Sequence, residues 1–105
     1  MKLQLGDVVL LRMEFHQIAG SKIRPAVVLL DTGDDDFIAA PITSRARASA
    51  YDLAIQEWGA AGLNVPSFAR VHKLTVQPKS GIARQLGSLA KPDRDELSSH
   101  PRSCL

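Results

Sequence analysis

Cysteine is almost absent from this chain of 105 residues: the single one, Cys104, lies next to the last position. An intramolecular disulfide is therefore excluded, and the expectation is a cytoplasmic chain with Cys104 as a tolerated tail thiol. Long apolar runs are missing too. None reaches the ~18 residues of a membrane span, and the start of the chain lacks a charged-then-apolar leader, so neither membrane insertion nor secretion is expected. Net charge is only +2, too little to argue for nucleic acid by itself. His16, His72 and His100 show no His-x-His or His-Glu-x-x-His spacing. No glycine-rich phosphate loop, nucleophile elbow or paired-glycine fingerprint occurs either, so neither a metal nor a nucleotide cofactor is expected.

What is present fits a single domain over residues 1–105, too small for a cleft between two domains. Any active surface then lies on one face or between two copies. Asp7 to Leu11 and Ala26 to Leu30 are continuous β-prone runs, one after Gly6 and one after Pro25, and read as strands buried on both sides. Between them Glu14 to Ile23 reads as a polar loop. Asp31 to Asp36 is a turn cluster of solvated carboxylates, and a third strand starts at Phe37 and ends at Thr43-Ser44.

Tyr51 to Gln56 alternates like a strand with one wet face, and Trp58 to Pro66 is an irregular connection. From Ser67 alternation resumes, with Ala69 and Val71 on one face and Phe68, Arg70 and His72 on the other. Further strands are expected at Thr75-Val76 and over Ile82 to Leu86. Pro92 followed by Asp93, Asp95 and Glu96 marks a helix start, which Pro101 is expected to stop within about two turns. The pattern predicts a mainly β fold, a small barrel of short strands with one short C-terminal helix.

Charge is distributed more tellingly than its sum. Residues 21–24, 43–47 and 70–73 hold Lys22, Arg24, Arg45, Arg47, Arg70 and Lys73 with no acid among them. Brought together, they would make a phosphate-sized basic patch; kept apart, they are three solvated loops. Arg24 and Arg70 stay protonated, so holding a phosphate is their natural role. His72 is the group beside them in sequence that can move a proton near neutral pH.

Several landmarks occur in order: Gly6-Asp7-Val8-Val9-Leu10, Arg24-Pro25-Ala26-Val27-Val28-Leu29, Ala40-Pro41-Ile42-Thr43-Ser44, Gly62-Leu63, Pro66-Ser67, Arg70-Val71-His72-Lys73-Leu74 and Leu86-Gly87-Ser88-Leu89. With these landmarks the chain, over about residues 5–97, resembles the MazF/PemK-type toxins of bacterial type II toxin–antitoxin modules; 98–105 is then a short tail. The resemblance implies an SH3-like barrel of the MazF/PemK/CcdB kind and a homodimeric endoribonuclease, neutralised by a cognate antitoxin. It further implies metal-independent cleavage of single-stranded RNA through attack of the 2′-hydroxyl on its own phosphate. Carried over by position, Arg24, Thr43, Arg70 and His72 are the expected catalytic residues. Ser44, Lys22, Arg45, Arg47 and Lys73 are expected RNA contacts, with His16 and Gln17 from the first loop.

Three departures stand out. The loop from Glu14 to Ile23 lacks the acid-plus-glutamine pattern common in relatives. His72 occupies a position where some members carry an aspartate proposed as general base. The chain near Ser98-Ser99-His100-Pro101 also reads as ending its helix early, where relatives continue an amphipathic one. The alternatives are a non-catalytic toxin on the same barrel, either one that grips a protein target as gyrase poisons do, or a degenerate toxin that binds antitoxin or RNA without cutting.

Overall fold

The computed structural model describes residues 2–14, 21–45 and 52–104, without the side chains of 13, 14, 21, 22 and 100–104. Among these residues there are seven strands: β1 (Asp7–Glu14), β2 (Ser21–Asp31), β3 (Asp36–Thr43), β4 (Asp52–Ile55), β5 (Ser67–Arg70), β6 (Thr75–Pro78) and β7 (Ile82–Ser88), followed by the helix α1 (Lys91–Cys104). Every pairing is antiparallel, in the order β4-β5-β3-β2-β1-β7, with β6 added to β3.

The two valine-rich runs lie in adjacent strands of this sheet, and Val8, Val9, Ala26, Val27 and Val28 are buried on both faces, as their lack of alternation predicts, whereas Leu30 at the end of the second run is 54% exposed. Val8 and Val27 point into one apolar cluster with Ala40, Ile42, Leu53 and Leu97. Val9, Ala26 and Val28 point into a second with Leu11 and Phe37. Burying such side chains is worth roughly 1.5–3 kcal/mol each, which makes β1 and β2 the frame on which everything else is hung.

Strands β4 and β7, at opposite ends of the path, do not pair among the described residues. Instead, the backbone of the turn after β4 packs against β7. Gly62, at φ +88°, lies so close to β7 that a Cβ there would sit 2.4 Å from the Leu86 carbonyl oxygen, and a Cβ on Gly87 would sit 2.7 Å from the Ala61 oxygen. Two glycines thus let the turn after β4 lie directly on β7, although no hydrogen-bonded ladder closes the sheet into a complete barrel among the described residues.

Helix α1 corrects the expected early stop. It runs 14 residues, through Pro101 to Cys104. Proline removes one hydrogen bond, the one to the carbonyl four residues back, but its fixed φ is compatible with a helix, and the helical backbone continues past it to Cys104. The helix is held by its inward residues Asp93 and Leu97, both fully buried and one turn apart. The Asp93 carboxylate accepts the Gln56 and Glu57 N–H groups, each at 2.8 Å, and so ties the helix to the turn that follows β4. No described helix is long and apolar enough to cross a membrane.

The acidic turn between β2 and β3 is an organised hairpin tip. Asp31 is bonded to Lys79 at 2.8 Å and accepts the Leu3 N–H at 2.9 Å and the Gly33 N–H at 2.8 Å. The Lys79 contact, followed by the two backbone donors, holds its carboxyl well below the usual carboxylate range. A depressed folded-state pKa contributes stability that is fully present above the unfolded value of about 3.9 and is lost as pH falls through the folded value. Asp31→Asn is therefore expected to unfold at lower temperature than the parent near neutral pH. The gap should narrow steadily below about pH 4, toward the lower folded-state value. Melting curves across that range check this, and a gap that widens on acidification contradicts it.

Candidate functional site

Strand register assembles the site. Ala26 on β2 faces Pro41 on β3, Thr43 on β3 faces Phe68 on β5, and Arg70 on β5 faces Asp52 on β4. Side chains two apart share a face, so Arg24, Thr43, Arg70 and Asp52 form a diagonal strip on one face, crossing four neighbouring strands. Thr43 and Arg70 are diagonal neighbours with Cα atoms about 7–8 Å apart.

At one end of the strip, Arg24, Thr43, Ser44 and Arg45 line a cavity of about 470 Å³ together with Asn64, Ser67 and Arg84. Leu10, Pro25, Ile42 and Leu86 supply much of its apolar lining. Thr43 ends its strand in a turn in which its Oγ1 accepts the Arg45 N–H at 3.1 Å. With that lone pair occupied, the hydroxyl proton is left to donate to an anionic oxygen. Three arginines around one concavity give an anion both charge and forked donors. The Ser67 hydroxyl, by contrast, is committed to the Val65 carbonyl at 2.8 Å.

At the other end Asp52, Arg70 and His72 form a tight cluster. The Asp52 side chain is only 2% exposed, and its Oδ1 lies 3.8 Å from Arg70 Nε and 3.7 Å from His72 Nδ1. Arg70 Nη2 lies 3.4 Å from His72 Nε2. Neither Asp52 oxygen nor Arg70 Nε has a hydrogen-bond partner among the described residues. Among those residues no group of three or more His, Cys, Asp or Glu side chains is arranged as metal ligands are.

The alternation read from Ser67 onward stops at Arg70. Val71–Lys73 is a single 3₁₀ turn, so His72 is delivered beside Arg70 by the turn and not by strand register. Of the three basic segments, 21–24 and 43–47 meet at the cavity through Arg24 and Arg45, whereas Arg70, His72 and the exposed Lys73 stand outside its lining. The Lys22 side chain, Arg47, His16 and Gln17 lie outside what is described. Asp52 and Arg84 escaped sequence reasoning. The signal for Arg84 was a cation within the β-prone run Ile82 to Leu86; for Asp52 it was a carboxylate at the mouth of a short strand.

A family model described as PemK-like, MazF-like toxin of type II toxin–antitoxin system matches residues 4–102. The chain belongs to that toxin family. Among solved structures, this PemK/MazF-type toxin is similar to one described as an Mtb toxin, with a TM-score of 0.70 and 21% identity over 91% of this chain and 99% of that one. It is also similar to the Mycobacterium tuberculosis toxin MazF-mt6, with a TM-score of 0.65 and 22% identity over 90% of this chain and 96% of the other. At such identities the likeness is one of fold, in which a mainly antiparallel sheet carries a C-terminal helix. No curated protein sequence matches the toxin.

Proposed function

We propose that this PemK/MazF-type toxin is an endoribonuclease that cleaves single-stranded RNA by attack of the 2′-hydroxyl on the adjacent phosphate, acting as a cytoplasmic homodimer that a cognate antitoxin neutralises. The observation that carries the reading is the strip of Arg24, Thr43 and Arg70 on one sheet face, with an imidazole at its end and an arginine-lined cavity at its start. Transesterification asks for that set: a base for the 2′-hydroxyl, and fixed positive charge and donors over the crowded phosphorane.

In this reading Arg24 and Arg70 hold the scissile phosphate, and the Thr43 and Ser44 hydroxyls donate to its oxygens. His72 takes the 2′-hydroxyl proton as O2′ bonds to phosphorus. The bond from phosphorus to O5′ breaks, and the leaving oxygen takes a proton from water. One fragment ends in a cyclic phosphate and the other begins with a 5′-hydroxyl. Arg45 and Arg84, with Arg47 and Lys73, hold flanking phosphates, an electrostatic contribution that weakens with salt.

Because the substrate supplies its own nucleophile, purified toxin is expected to fragment a long single-stranded RNA in the presence of EDTA. A strict requirement for an added divalent ion, restored by titration, contradicts the mechanism. The length of α1, which continues through Pro101 to Cys104, favours one second reading, a toxin that grips a protein target through an extended C-terminal helix. Intact RNA after the same incubation, with toxicity retained in cells, is the outcome that reading expects.

A further inference from the structure

Asp52 is a costly residue to keep. A carboxylate 2% exposed, with no hydrogen bond to either oxygen among the described residues, is unfavourable; its oxygens and the neighbouring Arg70 Nε are the buried side-chain polar atoms left without one. Its neighbours are specific. Register sets it directly opposite Arg70, and the 3₁₀ turn after β5 brings His72 Nδ1 to 3.7 Å from the same oxygen that faces Arg70 Nε. On the far side of the ring, Nε2 faces Arg70 Nη2 at 3.4 Å.

Donor and acceptor chemistry assigns the tautomer of that ring. A guanidinium only donates, so the nitrogen facing it must carry a lone pair; a carboxylate only accepts, so the nitrogen facing it must carry the proton. His72 is then protonated on Nδ1 toward Asp52 and basic at Nε2. This is the arrangement a general base needs, with the inner nitrogen's proton directed toward a buried acid 3.7 Å away and the outer nitrogen able to take a proton. Asp52 Oδ1 also faces Arg70 Nε, so one carboxylate sets the arginine and the histidine in a single geometry.

We propose that Asp52 is a positioning residue of the reaction, acting through His72 by fixing its proton on Nδ1 and its ring against Arg70. A phosphate that draws the Arg70 Nη2 group toward itself releases Nε2 at the moment a 2′-hydroxyl arrives, which couples substrate binding to the base. This inference rests on the ribonuclease reading for its catalytic consequence, and on geometry alone for the tautomer.

The test has two arms. In the first, the ¹⁵N-labelled wild-type toxin without RNA is examined at alkaline pH by long-range ¹H–¹⁵N correlation of its imidazoles, with His72 assigned by its loss in His72→Gln. The expected pattern is protonation on Nδ1; protonation on Nε2 overturns the proposal, whether or not the protein cuts RNA. In the second, Asp52→Asn is expected to lower kcat about 10²–10⁴-fold, the worth of general-base assistance, with KM changed by less than about threefold. In a His72→Gln background the same substitution should lower kcat by no more than about threefold, because the residue it acts through is already gone. A full loss that persists in that background, or a folded Asp52→Asn with parental kcat, overturns the proposal. If Asp52→Asn does not fold, the wild-type tautomer decides. A wild-type protein that never cleaves RNA refutes the ribonuclease reading instead, and leaves the first arm to judge Asp52.

Discussion

Arg24→Ala and Thr43→Ala are each expected to slow RNA cleavage about 10²–10³-fold, the loss seen when one preorganised donor is removed at a developing charge. Neither belongs to the two apolar clusters that hold the sheet, and Arg24 is exposed, so the melting temperature should stay close to that of the parent. The two substitutions differ in kind. Arg24 contributes charge as well as hydrogen bonds, so its loss should also weaken RNA binding and make it less sensitive to salt. Thr43 contributes a neutral donor oriented by the Arg45 N–H, so its loss should fall on kcat. Single-turnover rates and binding measured at two salt concentrations check both statements. A folded variant with parental activity removes that residue from the site.

The second large effect is on stability. Asp93→Ala deletes a fully buried carboxylate that accepts the Gln56 and Glu57 N–H groups, leaving both donors without their acceptor. Hydrogen bonds to a charged group contribute about 1.5–3 kcal/mol each, so a loss of about 3 kcal/mol or more is expected. For a domain of this size that corresponds to a melting temperature lower by roughly 12 °C or more. The damage should reach the site, because the turn that Asp93 anchors continues to Gly62, Leu63 and Asn64, which line the arginine cavity. Denaturant unfolding measures the first consequence; a change within about 0.5 kcal/mol would mean that the helix does not hold that turn in place.

Asp93 also shows where sequence reasoning stops. From the chain alone it is one of several acids in a first helical turn, accounted for by the helix dipole, and nothing local says that its partners lie 36 and 37 residues earlier. The central strands were legible for the opposite reason. Val8-Val9 and Val27-Val28 have only one comfortable environment, a sheet covered on both sides, and the structure provides it. The turn after Asp31 was legible as well, since Gly33 and Asp36 donate to carboxylates two residues earlier. The bonds of Asp31 itself to Leu3 and Lys79 were not, and they take it out of the solvated cluster the sequence suggests.

The site divides along the same line. Arg24 opens one apolar run and Thr43 ends another, so their placement follows from strands that the sequence announces, although β2 starts at Ser21, within what reads as the loop Glu14 to Ile23. Strand alternation predicted the Arg70 face correctly but was carried two residues too far, because Val71 is as apolar as a strand residue and nothing in Val71-His72-Lys73 marks a 3₁₀ turn. Asp52 is set by a cross-strand pairing of two short strands, a contact that no local pattern encodes. The seam where Gly62 lies against β7 is likewise visible only once the sheet has curled.

The central claim is that this toxin cuts RNA with the substrate's own 2′-hydroxyl as nucleophile. It is tested most directly by mapping the ends of fragments released from a long single-stranded RNA in EDTA. Upstream fragments should end in a 2′,3′-cyclic phosphate, or the 3′-phosphate it opens to, and downstream fragments should begin with a 5′-hydroxyl. Fragments that begin with a 5′-phosphate and end in a free 3′-hydroxyl would show that water attacked instead, and would contradict the account.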